Sequence, residues 1–250
     1  MANKNIFSRV EIKYLLDDKE KEELLNLFKN KDLMVKDPHG DATVRNIYYD
    51  TDSFLLARRS IEKPVYKEKL RVRSYNTSSL SDPVFVELKK KCKKTVFKRR
   101  IFIPQKDALD FLAGSPLPDD EFDRPDAKPT DVQIAKELTY FRDIYKTLHP
   151  VVFLSYDREA FYGKDNKDFR VTFDTNIRYR TSDLTLEHEP DGELLISPGH
   201  SIMEVKLIEG MPLWLSRFLS DKQIFKASFS KYGAAYKDML KKGEIKIGNI

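Results

Sequence analysis

The sequence predicts an α+β fold in which helices cover a sheet whose strands each have one apolar and one charged face. Eight or so segments alternate apolar with polar residues, which places Arg, Lys or Glu on a single face of each strand. Between them lie segments whose apolar residues recur every three or four positions, as in amphipathic helices. If the helices pack on the apolar strand faces and the sheet closes, the product is a β-barrel with a charged interior.

The composition is that of a globular protein of the cell interior. The chain has 250 residues, of which 40% are hydrophobic, enough to bury a sizeable core in one domain covering residues 1–250. The single cysteine, Cys92, excludes an internal disulfide and predicts a reducing, cytoplasmic location. We expect no membrane segment, because no apolar run is long enough. The four histidines lack the spacing of a zinc site.

The N-terminal part is predicted to alternate between strands and helices. Residues 8–16 alternate as a strand, and Asp17 with Glu20 has the spacing of a capping box at the start of a helix. The segments that follow are predicted, in order, to be a loop, a strand and a short helix that Ser53 caps: residues 35–42, 43–50 and 54–60.

The central segment, residues 67–91, is predicted to be a hairpin with a strongly charged face. Its first strand alternates cations with apolar residues, and its second strand places Glu87 and Lys89 on one face. A serine-rich turn separates the two strands. The cations on the first strand share one face and are Lys69, Arg71 and Arg73.

The remaining elements continue the same alternation. Residues 95–104 are predicted to form a strand, and residues 106–114 a short helix that ends at Gly114. Residues 115–130 hold four prolines and are predicted to be an irregular loop. Then follow a helix at 131–148, strands at 151–162 and 169–174, a hairpin at 183–197 around Asp191-Gly192, a strand at 202–208, and helices at 212–219 and 232–241.

The charged strand faces predict a site for a polyanion. They carry the cations Lys13, Lys69, Arg71, Arg73, Lys89, Lys98, Arg100, Arg158, Arg170, Lys206 and Lys231, with the acids Glu11, Glu87, Asp174 and Glu204. Like charges a few ångströms apart repel by about 4 kcal/mol per pair at an effective dielectric constant near 20, so a phosphate chain would stabilise such an interior. The carboxylates are suitable ligands for Mg²⁺ or Mn²⁺ that bridges phosphates. No glycine-rich phosphate loop is present, so side chains would bind the phosphates.

Structural interpretations of the same residues stay open. The cations of the hairpin could lie on a solvated sheet face, and the carboxylates could form buried ion pairs instead of binding a metal. The ion-pair alternative applies to Glu204 with Lys206, and also to Glu11 and Glu87. Asp174 could equally be a turn residue or support a metal ligand indirectly.

Eight motifs, in order along the chain, resemble those of the VTC (vacuolar transporter chaperone) domain of polyphosphate polymerases, in the triphosphate tunnel metalloenzyme superfamily. They are RVEIKYLL, LRVRSY, VFVELKKK, KRR, SYDREAFYG, FRVTFDTNIR, IMEVKL and FSKYG. The resemblance implies an antiparallel eight-stranded β-barrel, a tunnel with a charged lumen and helices on its outside. Two positions depart from related patterns. The related CYTH branch (adenylyl cyclase and thiamine triphosphatase relatives) opens with ExExK, and Arg9 stands where that motif has its first glutamate. VTC polymerases tend to have a second lysine two residues before the serine of FSK, and Ser228 stands at that position.

The resemblance also implies roles for the charged residues. Residues expected to contact the reacting phosphates are Lys13, Arg71, Arg73, Lys89, Arg158, Arg170 and Lys231. Further substrate contacts are expected from Lys69, Lys98, Arg100, Lys206 and Ser230. Glu204 is the implied metal ligand, and Glu87 and Glu11 are further candidates for Mn²⁺ or Mg²⁺.

Three functions are consistent with these residues. The first is a metal-dependent polyphosphate polymerase that transfers the γ-phosphoryl group of ATP to a growing polyphosphate chain and releases ADP. The second is a hydrolase of triphosphate or short polyphosphate, and the third is a non-catalytic polyphosphate-binding module. Nucleic acid is not an expected partner, because the chain lacks a basic helix or a regular aromatic strip between its cations. The oligomeric state is not predicted.

Overall fold

The computed structural model describes residues 10–38, 40–62, 64–93, 95–118, 122, 128–208 and 210–245. The chain divides into two compact units. The first unit contains the described residues up to Thr43 together with residues 156–177 and 196–230. The second unit contains residues 44–155, 178–195 and 231 onward. The assignment of all 250 residues to a single domain stays a prediction.

The described residues form ten strands and six helices. The strands are β1 Val10–Asp17, β2 Met34–Lys36, β3 Ala42–Asp50, β4 Tyr66–Tyr75, β5 Pro83–Cys92, β6 Thr95–Pro104, β7 His149–Gly163, β8 Arg170–Arg180, β9 Glu193–Leu194 and β10 His200–Leu207. The helices are α1 Asp18–Asn30, α2 Leu55–Glu62, α3 Gln105–Leu112, α4 Pro129–Ile144, α5 Leu213–Asp221 and α6 Lys231–Lys242. None of these helices combines the length and apolar character that a membrane crossing requires.

The strands form an antiparallel sheet, which confirms the predicted α+β class. The hydrogen-bonded order is β1-β10-β8-β7-β3-β4-β5-β6, with β2 beside β7 and β9 beside β8. Strands β3, β7 and β8 contribute residues to both units. Among the described residues no pairing joins β1 to β6, so closure of the sheet into a barrel is not confirmed.

In the first unit, helix α1 covers the apolar face of the strands beside it. The predicted capping box is present: Asp17 accepts a hydrogen bond from the Glu20 amide at 2.7 Å, and the Glu20 carboxylate accepts one from the Asp17 amide at 2.9 Å. Leu24 and Phe28 on α1 are buried in an apolar cluster that includes Phe173 of β8. The alternate residues of these strands therefore project their charges from the opposite face.

In the second unit, the apolar face of the central hairpin forms the core. Leu70 and Val72 of β4 pack in one cluster with residues of β5 and β6, and none is more than slightly exposed. Phe111 of α3 and Leu138 of α4 belong to the same cluster, so these helices cover this face. The Lys69, Arg71 and Arg73 face of β4 is the opposite one, as the alternation predicts.

Two predictions of local structure are wrong. Ser53 does not cap α2, because Asp50 accepts hydrogen bonds from the amides of Leu56 and Ala57 at 2.9 and 2.8 Å, and Thr51 accepts one from Leu55. These acceptors lie up to seven residues before their donors, a distance that the local capping pattern does not cover.

The hairpin predicted for residues 183–197 is also wrong. Residues 193–194 pair with β8 instead, with Leu194 opposite Arg178. The segment before them is held by Arg180, which donates to the Asp183 carbonyl at 2.9 Å and to the Asp191 carboxylate at 2.7 Å. Side-chain contacts thus replace the predicted strand pairing.

Other boundaries differ by less. The loop predicted for residues 35–42 begins inside β2, whose Val35 pairs with Tyr162 of β7. Strand β8 extends six residues beyond the predicted end at residue 174. Most of the second half of the loop predicted for residues 115–130 lies outside the described residues, as do residues 8 and 9 of the first predicted strand.

Candidate active-site residues

Charged residues on β1, β7, β8 and β10 of the first unit form what we call the Glu204 cluster. Its members are Glu11, Lys13, Arg158, Asp174, Glu204 and Lys206. Antiparallel register sets the neighbours: Lys13 lies opposite Glu204, and Glu11 lies opposite Lys206. On the other side of β10, Thr172 lies opposite Glu204. The pattern on each strand places these residues on a common face, and the register brings opposite charges together.

Glu204 is a buried carboxylate that binds two lysines. One oxygen lies 2.6 Å from Lys206 Nζ and the other 3.4 Å from Lys13 Nζ. Burial alone would raise the pKa of Glu204, but Lys206, Lys13 and Arg158 hold it well below the ordinary value of 4.5. Glu204 is therefore ionised near neutral pH and can act as an oxygen ligand.

Lys13 contacts Glu204, a second carboxylate and the FSK motif at residues 229–231. Its Nζ lies 3.0 Å from Glu11 Oε1 and donates to the Phe229 carbonyl at 3.3 Å. Burial acts to lower the pKa of Lys13, but attraction to Glu204 and Glu11 raises it above the ordinary value. Lys13 therefore keeps its charge and is held beside the segment that contains Ser230.

Arg158 is oriented by a bidentate contact with Asp174. The two carboxylate oxygens accept hydrogen bonds at 2.7 and 2.8 Å, and Asp174 is fully buried. Burial acts against the charge of Arg158, but Tyr156, Asp174 and Glu204 raise its pKa. Asp174 thus positions a neighbouring cation, whereas the two roles left open by the sequence, a turn residue or indirect support of a metal ligand, stay predictions.

The Glu204 cluster fits a divalent cation of the Mg²⁺ type. Such a cation binds one or two protein carboxylates and completes its shell with water and substrate phosphates. Glu204 and Glu11 would supply the carboxylates, and the Thr172 hydroxyl is buried without a hydrogen-bond partner among the described residues. Across the described parts of the chain no three metal-ligating side chains come together. Phosphate and water oxygens would therefore have to complete the coordination.

Charged residues of β4, β5 and β6 in the second unit form what we call the Glu87 cluster: Arg71, Arg73, Glu87 and Lys98. Glu87 lies opposite Arg71 on one side and Arg100 on the other. Arg71 donates to Glu87 from Nε and Nη2 at 2.8 and 2.6 Å, Arg73 lies 3.8 Å away, and Lys98 forms a third ion pair. One carboxylate thus accompanies three cations, which favours the ion-pair alternative for Glu87 over metal binding.

The Glu87 cluster holds its arginines in a fixed arrangement. Arg71 also donates to the Tyr48 hydroxyl at 3.0 Å, and Arg73 donates to Asn46 Oδ1 at 2.9 Å. Burial lowers the pKa of Lys98, and repulsion by Arg71 and Arg73 adds to this, while Glu87 opposes it. Because each guanidinium is held by β3 as well as β5, the donors are oriented before an anion binds.

Helix α6 begins beside this cluster at Lys231. Tyr232 donates to buried Asp50 at 2.7 Å, and its ring stacks on Tyr48 with centroids 4.5 Å apart. These contacts fix the first turn of the helix, which carries Lys231. Asn46, Tyr48 and Asp50 are not among the predicted site residues, although they alternate on β3 and so share a face.

The strand pairing gives the neighbours of the remaining predicted substrate residues. Lys69 lies opposite Lys89, and Lys89 lies opposite Lys98. Arg100 is exposed, and its guanidinium lies 4.8 Å from the centroid of the Phe85 ring. In the first unit, Arg170 is exposed and lies opposite Lys206. The roles assigned to these residues, and to Ser230 and Lys231, stay predictions.

The Glu87 cluster predicts a specific loss of stability in acid. Burial alone would raise the pKa of Glu87, but Arg71, Arg73 and Lys98 lower it from 4.5 to about 2. The ion pairs of Glu87 stabilise the folded state fully at pH values above the pKa that this residue has in the unfolded chain, about 4.5. This stabilisation, on the order of 3 kcal/mol, is lost as pH falls from about 4.5 towards 2. We expect urea unfolding of Glu87→Gln to show a weaker pH dependence in this range than the parent, whereas Glu22→Gln on exposed α1 surface should match the parent. Equal pH dependence in Glu87→Gln and the parent would contradict the cluster.

Two solved structures share the architecture of this chain. A candidate adenylate cyclase from Bacillus halodurans superposes with a TM-score of 0.52 at 13% identity, covering 89% of this chain and 95% of that one. A candidate adenylyl cyclase from Hippeastrum, described as having a dominant triphosphatase activity, gives 0.52 at 14% identity, covering 95% and 97%. The described residues of this chain therefore have the same fold as these two solved structures.

Sequence comparison then identifies the family. The model of the VTC domain matches residues 8–240, so the chain belongs to the VTC domain family. It is 24% identical over 217 residues to vacuolar transporter chaperone complex subunit 4 of Trypanosoma brucei brucei, covering 76% of this chain. The chain spans 27% of the length of that relative. The family resemblance read from the eight motifs is confirmed.

Proposed function

We propose that this chain is a metal-dependent polyphosphate polymerase that transfers the γ-phosphoryl group of ATP to a growing polyphosphate chain and releases ADP. The observation that carries the proposal is the Glu87 cluster, where oriented cations exceed the single carboxylate among them. Membership of the VTC domain family supports it, as does the likeness to a subunit of the vacuolar transporter chaperone complex. An eight-stranded tunnel and a cytoplasmic location belong to the same proposal.

In the proposed mechanism, the Glu87 cluster binds and orients phosphates. Arg71 and Arg73 offer planar donors that match phosphate oxygens, and Lys98 adds a point charge. Phosphate oxygens would bind donors of these cations that Glu87 does not occupy, so the buried carboxylate would keep its ion pairs. Catalysis then rests on positioning and on donors aimed at oxygens where negative charge develops.

The Glu204 cluster is assigned the divalent cation, Mn²⁺ or Mg²⁺. Glu204 and Glu11 would hold it, and when bound it would supply positive charge that polarises the phosphoryl oxygens. Lys13 and Lys206, which pair with these carboxylates, would then be available to phosphate oxygens. Arg158, held by Asp174, would contact phosphate from a fixed position.

A second candidate function is hydrolysis of triphosphate, with water in place of the polyphosphate acceptor. The dominant triphosphatase activity of the Hippeastrum protein, which has the same fold, favours it. The cation clusters alone do not distinguish the two functions, because both require the same recognition of phosphate.

The test is incubation with ATP and Mn²⁺, read by a polyphosphate gel and by release of ADP and phosphate. ADP with chains longer than the added primer supports the polymerase. ADP with an equimolar amount of free phosphate and no chain identifies the hydrolase. Tight binding of polyphosphate without ADP or phosphate release identifies a binding module.

We expect Lys231→Ala to reduce chain elongation by about tenfold, because it removes one charge-assisted phosphate contact. The reason for placing Lys231 in the site is its position at the start of α6, which Tyr232 holds through Asp50 and Tyr48. Lys237→Ala, on the exposed side of the same helix, is the matched control and should elongate like the parent. Equal elongation by the Lys231 and Lys237 variants would remove Lys231 from the site.

A further inference from the structure

Three aromatic side chains interrupt the charged face of the central strands. Phe85 of β5 lies directly opposite Phe102 of β6, with ring centroids 4.6 Å apart. Tyr75 of β4 contacts Phe85 edge-on at 6.1 Å. We call Tyr75, Phe85 and Phe102 the aromatic row. The sequence alone does not reveal it, because alternation does not fix the strand register that brings the three rings together.

Two rings of the aromatic row stay largely exposed although each contacts Phe85. Phe102 is 55% exposed and Tyr75 is 46% exposed. The residues that flank Phe102 in the sequence, Ile101 and Ile103, are buried in the core on the other face of β6. Burial of these rings therefore does not explain their presence on the polar face.

The register places the aromatic row next to the cations of the proposed site. Arg73, Phe85 and Phe102 are paired across β4, β5 and β6, and the next pairs on the same face are Arg71, Glu87 and Arg100. Beyond these lie Lys69, Lys89 and Lys98. Successive rows are separated by about 6.6–6.8 Å, the rise of two residues in a strand. Along one direction this face thus carries two phenylalanines beside an arginine, then two arginines beside a carboxylate, and then three lysines.

Arg100 connects the aromatic row to the cations. Its guanidinium lies 4.8 Å from the centroid of the Phe85 ring, the geometry of a cation–π contact. The planar group is thereby held beside the exposed ring of Phe102. An arginine plane and an aromatic ring together are a stacking surface that nucleobases use in proteins that bind single-stranded nucleic acids.

We propose that the aromatic row and Arg100 bind the base of a nucleoside triphosphate whose phosphates lie along the rows of arginines and lysines. This inference rests on the proposed function and adds the position and orientation of the nucleoside. The base would lie at the Phe102 end and the terminal phosphate towards Lys69 and Lys89. Because stacking is tolerant of base identity, the site would accept purine nucleotides with similar affinity.

The test compares a non-hydrolysable ATP analogue with inorganic triphosphate, which has the phosphates but no base. Titration calorimetry on the full chain should show that Phe102→Ala weakens binding of the analogue by about tenfold and leaves inorganic triphosphate unchanged. Phe102→Tyr keeps a ring and should bind the analogue like the parent. Phe97→Ala removes a 44% exposed ring from the opposite face of β6 and should change neither ligand. A GTP analogue should behave as the ATP analogue does.

Several results would overturn the proposal while leaving phosphate binding intact. These are equal affinity of the parent for the analogue and for inorganic triphosphate, an unchanged analogue affinity in Phe102→Ala, or an equal loss for both ligands. A shift of Phe102→Ala to a smaller oligomer in sedimentation, without loss of analogue affinity, would assign the row to contact between copies of the chain instead. A parent that binds neither ligand would refute the proposed function itself, and this site with it.

Discussion

We expect Glu204→Gln to lower metal-dependent turnover by at least about 100-fold, the size of effect seen when an electrostatic group of an active site is removed. The amide keeps the shape of the side chain but removes the negative charge that would hold the divalent cation. The fold should persist, because Lys13 retains Glu11 at 3.0 Å and Lys206 is exposed enough to be solvated. Binding of triphosphate without metal should remain.

The measurement is ADP release across a series of Mn²⁺ concentrations, with thermal unfolding as the check on folding. Glu159→Gln is the matched control, since Glu159 lies in the same unit and pairs with Lys21 rather than with the cluster. If Glu204→Gln and the parent turn over ATP at the same rate at saturating Mn²⁺, Glu204 is not the required metal ligand. Equal losses in both variants would point to a general effect of charge.

The second large effect is expected from Arg71→Ala, which should weaken binding of triphosphate by about 100-fold. Hydrogen bonds to charged groups contribute about 1.5–3 kcal/mol each, and Arg71 offers more than one donor to a phosphate. Glu87 keeps Lys98 and Arg73 as partners, so we expect the variant to fold. A ligand at 100 times its dissociation constant stabilises the folded state by about 2.7 kcal/mol, so the variant should also lose most of the rise in melting temperature that triphosphate causes in the parent.

Arg99→Ala provides the control for this variant. Arg99 lies on the other face of β6 from Arg100 and contacts Glu137 at 3.2 Å, so its loss removes a charge without touching the cluster. Titration at low and moderate salt should show a strong effect for Arg71→Ala and little for Arg99→Ala. Similar affinities in these two variants and the parent would contradict phosphate binding at the Glu87 cluster.

The sequence alone determined the elements that depend on local pattern. The capping box of Asp17 and Glu20 sets the start of α1 through contacts within three residues, and it was predicted. The same is true of the hairpin formed by β4 and β5, because strict alternation assigns each side chain to a face. The sequence also indicated which strand faces carry charge. On β4, burial of Leu70 and Val72 leaves the alternating cations, Lys69, Arg71 and Arg73, on the opposite face.

Tertiary structure decided which charged and polar groups meet. The three cations around Glu87 come from two neighbouring strands, and alternation does not specify the register that aligns them. For the same reason the sequence did not reveal Thr172 opposite Glu204, the Asp50 contacts that begin α2, or the aromatic row. Thr172 and the aromatic row depend on strand register, and the Asp50 contacts span six and seven residues, beyond the usual capping spacing. Local pattern fixes the face on which a side chain lies, whereas only the paired strands fix its neighbours.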